Sequence, residues 1–269
     1  MEGAAFESVL KDAQSQGYAE LEPSLDIDGH DALHKIGILA SLAHGFWVNP
    51  SRIYVEGIRN ITALDIKFAE QLGYTIKLLG IIKRLEGRAS KNGSRVQVSV
   101  YPTLVPNGHV LASVNHVFNA VFVRGDIVGD TLFYGRGAGK DATASAVLSD
   151  LADAALDLKF GTKHRLPPFV PHERDGVVMP IDDIISRYFV RLDVVDVPGT
   201  LAKIARIFGD AEIGISSVIQ PEGHEGESVP LILMLHDAPN GAVSKALKKI
   251  AALRVIKGAP VMIRVESFE

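Results

Sequence analysis

Cysteine is missing from this 269-residue chain, which excludes disulfides and thiolate metal sites and is compatible with a reducing compartment. A surplus of one charge is missing too: 28 basic side chains face 32 acidic ones, for a net charge of −4. That balance gives no reason to expect nucleic acid or an acidic membrane surface as a partner. No apolar run reaches the roughly 18 residues a membrane-spanning helix needs, and the N-terminus lacks the pattern of a secretory signal. The expected location is the cytoplasm. Histidines do not converge either. His164 and His172 stand in a proline-rich stretch without a neighbouring carboxylate or third histidine, so no metal site is expected.

What is present is ordinary in amount and orderly in arrangement. Apolar residues make up 47% and charged ones 22%, as in a typical globular protein, and the length suits one large domain or two ordinary ones. Apolar periodicity predicts an amphipathic helix over 4–16, a nearly all-round apolar helix after Asp31, a strand over 52–58, and a helix over 62–72 stopped by Gly73. β-rich runs follow at 75–85, 96–104 and 119–130. In the second, Val96, Val98 and Val100 alternate with Gln97, Ser99 and Tyr101, the period of a strand with one buried face. These runs cluster instead of alternating strictly with helices, which predicts an α+β unit with a mixed or antiparallel sheet covered by helices. Residues 160–187, holding Pro167, Pro168, Pro171 and Pro180, read as a linker. Beyond them the order strand, helix, strand, strand, helix, strand predicts a ferredoxin-like βαββαβ unit. The expected division is 1–159, linker 160–187, and 188–269.

The chemistry concentrates between Gly17 and Gly45. Glu20, Glu22, Asp26 and Asp28 crowd a loop with Pro23 and Gly29 as turn residues, and the helix that follows carries Asp31 and Lys35. Acids suit the positive end of a helix dipole. The four-residue spacing puts Asp31 and Lys35 on one face, one turn apart. A helix apolar all round is a buried helix, so Lys35 is expected to point into a crevice, where burial and a carboxylate tune it for proton transfer. Alternatively the two residues form an ordinary surface pair, contributing roughly 0.2–0.5 kcal/mol. A second candidate is Gly135-Arg136-Gly137-Ala138-Gly139, leading into a helix over 143–158. Such a turn can offer backbone N–H groups to a phosphate, or it can be a tight turn that lets the helix pack closely. The full dinucleotide-binding spacing is absent.

Gly17-Tyr18-Ala19-Glu20, then Pro23, Asp26, Gly29, Asp31 and Lys35, resembles the substrate-binding signature of homoserine dehydrogenase. Glu56–Ile58 (EGI), Leu72–Gly80 (LGYTIKLLG), Tyr101–Pro106 (YPTLVP) and Tyr134–Val147 (YGRGAGKDATASAV) resemble later segments of that family, in its order. The resemblance implies reversible reduction of aspartate 4-semialdehyde to homoserine by NADP or NAD in its reduced form. It gives 1–159 the substrate-binding, catalytic and dimerisation roles. Lys35 would move the proton, Asp31 would hold Lys35 and the substrate in register, Glu20 and Asp26 would receive the substrate ammonium, and Gly17 would keep the backbone close. Gly137 and Gly139 would line the cofactor. Asp196, Pro198, Gly199, Thr200 and Leu201, with Ile213 to Ser216, resemble the ACT domain, a small module that binds amino acids between paired copies. That likeness implies effector contacts from Asp196, Pro198, Gly199, Ile213 and Ser216, with threonine as ligand, or a role in assembly only, and a homodimer or homotetramer. The family's nucleotide-binding Rossmann domain and the lysine it contributes have no counterpart in the sequence. The expectation is therefore a C-terminal part of a longer enzyme, inactive in hydride transfer by itself. A non-catalytic amino-acid sensor and a ligand-free assembly subunit are the other readings.

Overall fold

The computed structural model describes residues 6–15, 22–88, 93–162, 175–221 and 226–268. The first part contains α1 (Phe6–Ser15), α2 (Ser24–Ile27), α3 (His30–His44), β1 (Tyr54–Val55), α4 (Ala63–Gln71), β2 (Tyr74–Arg88), β3 (Ser94–Pro106), the pair β4 (Phe118–Gly125) and β5 (Gly129–Arg136), and α5 (Lys140–Phe160). The second contains β6 (Gly176–Val178), β7 (Ile185–Val195), α6 (Thr200–Asp210), β8 (Ile215–Ile219), β9 (Ser228–Pro239), α7 (Asn240–Ala251) and β10 (Ile256–Val265).

β3 is the strand on which both parts meet. One edge pairs antiparallel with β2 along its whole length, from Tyr74 opposite Pro106 to Arg88 opposite Ser94. The other edge is shared in turn by three parallel strands: β6 at Ser94–Val96, β1 at Ser99 and Val100, and β10 at Thr103 and Leu104. Through β10 the sheet continues into β7, β9 and β8, giving eight strands of mixed direction. The order β10-β7-β9-β8, with α6 and α7 between strands, is the βαββαβ arrangement expected from the sequence.

Three cores fix the layers. Leu33, Ile36 and Ala40 of α3 pack on Val96, Val98 and Val100 of β3. Phe68 and Ala69 of α4 pack on Leu104, Phe189, Ile232, Met234 and Ile263, so this core draws on both parts of the chain. Ile204 and Phe208 of α6 and Val243, Ala246 and Ile250 of α7 cover the remaining strands. α4 starts where it does because Thr62 and Asp65 cap each other: Thr62 Oγ1 accepts from the Asp65 N–H, and the Asp65 carboxylate accepts from the Thr62 N–H.

Several expectations change in three dimensions. β3 is buried on both faces, not one: Gln97, Ser99, Tyr101 and Thr103 are as enclosed as the valines. The polar groups are satisfied among themselves, with Gln97 Nε2 donating to Ser99 Oγ at 3.0 Å and to the Tyr101 hydroxyl at 2.9 Å. The strand expected over 52–58 shrinks to two residues, because Pro50–Arg52 take a tight 3-10 turn capped by Asn49. The run at 119–130 splits into the hairpin β4–β5, which forms a separate two-stranded sheet. The stretch expected as a linker contains β6, and its last residues already belong to β7. α3 is not buried all round, since Ile38, Leu39 and Leu42 are exposed. α5 has no buried residue, and its Leu148 and Leu151 are each 64% exposed.

Candidate functional site

The acidic loop and the head of α3 are built as one piece. α2 is a single turn that ends at Asp28, and Gly29 then reverses the chain into α3 at φ +81°. A side chain is strained at that angle, and its Cβ would also press on Val100 at 3.1 Å. Ile27 anchors the turn from beneath, buried in the interior. The backbone N–H of Ile58 donates to the Ile27 carbonyl at 2.9 Å. Gly57 lies so close that an added Cβ would sit 2.3 Å from the Ile27 oxygen and 2.6 Å from the Asp28 Cα.

Above this seat the charged groups are sorted by partner. Asp28 is held by Arg59, whose Nε donates to Oδ1 at 2.5 Å and whose Nη2 donates to Oδ2 at 3.0 Å. The Arg59 hydrogen bonds keep the Asp28 carboxyl below its usual range. Glu22 accepts from the Ser24 hydroxyl at 2.8 Å. Lys35 Nζ donates to Asp31 Oδ2 at 2.6 Å. The Asp26 carboxylate, which is exposed, has no hydrogen-bond partner among the described residues. Gly17 and Glu20 lie outside the described residues.

Among the described residues no crevice encloses Lys35, contrary to expectation. Its side chain is 58% exposed and that of Asp31 46%, because α3 buries the Leu33–Ile36–Ala40 face and turns the other outward. Lys35 instead heads an exposed stripe that runs through Ile38, Leu39 and Leu42, with Trp47 also exposed just beyond the helix. An ammonium and a carboxylate at the edge of an open apolar surface can meet a ligand that another surface then covers.

The glycine turn serves its own hairpin first. The Gly137 N–H donates to the Val117 carbonyl at 3.0 Å, and a Cβ at Gly137 would fall 1.9 Å from Asn119 Nδ2. Gly139 is different: it takes φ +112° at the N-terminus of α5, with nothing within 4 Å of where a Cβ would point. Of Gly137 and Gly139, it is Gly139 that has open space beside its backbone.

In the second part, Gly199 caps α6 at φ +86°, and Asp196 is fixed by its backbone, donating to the Glu227 carbonyl at 2.9 Å and accepting from the Gly226 N–H at 2.8 Å. Pro198 is exposed at the same turn, while the Ser216 hydroxyl donates to the Met234 carbonyl at 3.1 Å. Ile213 is buried in the core beneath α6, so its side chain is a packing residue here.

Sequence reading missed a clamp between the two parts. Arg264, 2% exposed on β10, donates from Nη1 to Glu56 Oε2 at 2.9 Å and from Nη2 to Asn240 Oδ1 at 2.8 Å. Its guanidinium lies 4.3 Å from the Tyr101 ring centre and 5.1 Å from that of Tyr54. Glu56 adjoins Gly57, so the last strand is bonded to the segment that seats α2. The available signal was an arginine inside an otherwise apolar strand, the residue type that stacks and forks at buried sites.

Fold and site together define an α+β protein that presents acids and a lysine at the open head of a helix. The model of the family described as homoserine dehydrogenase matches residues 1–152. The chain belongs to the homoserine dehydrogenase family. It is 41% identical over 268 residues to a homoserine dehydrogenase of Neisseria gonorrhoeae and 40% identical to one of Pseudomonas aeruginosa, covering 98% of this chain and 60% of each relative. The crystal structure of a homoserine dehydrogenase from Thiobacillus denitrificans superposes with a TM-score of 0.88 at 42% identity, covering 100% of this chain and 60% of that one. The chain thus spans about 60% of the length of the curated relatives it matches.

Proposed function

We propose that this chain supplies the substrate-binding and proton-transferring part of a homoserine dehydrogenase, which interconverts aspartate 4-semialdehyde and L-homoserine. A nicotinamide nucleotide, NADP or NAD, would supply or take the hydride when bound, with the open backbone at Gly139 as this chain's contribution to its site. Lys35 donates a proton to the aldehyde oxygen as negative charge develops there, and removes it in the reverse direction. Asp31 holds the Lys35 ammonium in place. Asp26, with Glu20, receives the substrate ammonium, since an enclosed cation requires a partner. The observation that carries this reading is the 2.6 Å Lys35–Asp31 bond at the open head of α3, the helix that follows the acidic loop.

The second part serves regulation and assembly in this reading. The turn at Asp196–Gly199 and the adjacent Ser216 form an ACT-like effector site for threonine, and copies of the chain associate as a homodimer or homotetramer. The exposed faces of α5 and of the β4–β5 hairpin support such association.

The test is Lys35→Ala in an enzyme that joins this chain to a nucleotide-binding domain. Turnover should fall by roughly 10²–10⁴, the scale of general acid–base catalysis, while circular dichroism stays unchanged. Unaltered turnover would remove Lys35 from the mechanism.

A further inference from the structure

A cavity of about 190 Å³ lies on the seam between the two parts of the chain. Lys83 and Tyr101 line it from β2 and β3. Ser186 and Arg187 line it from the start of β7, Asp237 from the end of β9, and Glu266 from just beyond β10. Tyr101 belongs to the face of β3 opposite Val96, Val98 and Val100, which pack on α3. The Asp196 turn follows the other end of the 11-residue strand β7, about 30 Å away at the ordinary rise of a strand. The cavity is therefore separate from both sites discussed above.

Its charges are balanced but only half paired. Lys83 Nζ donates to Glu266 Oε1 at 2.5 Å across the seam, and the Glu266 side chain is only 9% exposed. Arg187, half-buried, and Asp237, exposed, line the same cavity, and their side chains have no hydrogen-bond or ion-pair partner among the described residues. A ligand with one net charge would satisfy one of these groups and leave the other facing it unpaired, which is unfavourable once water is displaced. A ligand carrying both charges satisfies the two together. The volume is below the roughly 300–1,000 Å³ of pockets for drug-sized molecules, which limits the occupant to a few heavy atoms.

We propose that this seam cavity is a binding site for a small zwitterionic amino acid, its carboxylate on Arg187 and Lys83 and its ammonium on Asp237 and Glu266. The proposal does not depend on the role given to Lys35.

Calorimetry of the 269-residue chain tests it, with glycine, L-alanine and L-serine as zwitterions and propionate and ethylamine as one-ended analogues. At least one amino acid should bind and neither analogue should. Arg187→Met and Asp237→Asn should each weaken binding tenfold or more without lowering the melting temperature, since Asp237 is exposed, Arg187 is half-buried and neither belongs to a core cluster. Absence of heat from all three amino acids, equal binding of an analogue, or retained affinity in both variants would overturn the proposal. Affinity lost in Asp31→Asn but kept in Arg187→Met would also overturn it, by placing the ligand at the head of α3. The reverse pattern supports the seam site whatever the outcome for Lys35.

Discussion

Arg191 and Asp65 meet inside the protein, where Asp65 has no exposed surface and Arg191 Nε donates to its Oδ1 at 2.7 Å. Asp65 also caps α4 through Thr62, so one buried carboxylate serves two elements. Removing one partner of such a pair strands the other charge, at a cost of about 3–5 kcal/mol. Arg191→Met should therefore lower the free energy of urea unfolding by that amount, and a loss under 1 kcal/mol would show that Asp65 is relieved by protonation or water. His109 makes a second residue-scale case. It stacks on Phe268 with ring centres 3.6 Å apart, and burial pushes its pKa below the ordinary 6.5, with Asp130 opposing in part. Burial, with Arg84 nearby, lowers His44 in the same way. A histidine depressed in the fold contributes stability that is present above pH 6.5 and lost as pH falls below it, because the unfolded chain then binds more protons. The denaturation midpoint should fall on acidification below that value, and His109→Gln should flatten part of the fall; a midpoint that rises instead would contradict the assignment. Little of this was legible beforehand. An arginine or aspartate in a strand or helix does not announce a partner 126 positions away, whereas the Asp31–Lys35 spacing follows from helical geometry alone and was read correctly as a pair.

At the scale of elements, α2 depends on a neighbour it cannot specify by itself. The carbonyl of Ile27 and the backbone of Asp28 rest against Gly57, where any side chain would collide with backbone. Gly57→Ala should cost about 1–3 kcal/mol, the range for overpacking. Under the proposed function, in an enzyme that joins this chain to a nucleotide-binding domain, it should raise KM for homoserine more than it lowers kcat, since it displaces the acidic loop. A melting temperature and KM equal to wild type would show that the loop has slack. The same scale explains which elements the sequence disclosed. α4, α6 and α7 carry helical periodicities because each buries one face, whereas β7 and β9 read as strands by their continuous apolar runs, being buried on both faces. α3 misled because its outward residues are also apolar: a stripe left for another surface cannot be told from a core by composition. β3 misled in the opposite sense, its inward polar residues reading as solvent-facing ones.

For the whole molecule, the surfaces left open are as informative as the cores. Val147, Leu148, Leu151 and Leu158 of α5, Phe133 and Tyr134 of β5, and the stripe of α3 expose far more apolar surface than isolated surface leucines would. The chain by itself should self-associate in sedimentation velocity, and Leu148→Lys with Leu151→Lys should shift it toward the monomer; a monomeric wild-type chain would show that these faces tolerate water. The continuous sheet through β3 and β10 and the Arg264 clamp on Glu56 make the two parts one folded body in this structure, a union that sequence periodicity, which is local, cannot display. The account rests finally on Lys35 and Asp31 acting as one unit at the substrate. A double-mutant cycle on kcat/KM for homoserine, in an enzyme that joins this chain to a nucleotide-binding domain, measures that directly. Asp31→Asn added to Lys35→Ala should cost nothing further, whereas two losses that simply multiply would show independent residues and contradict the account.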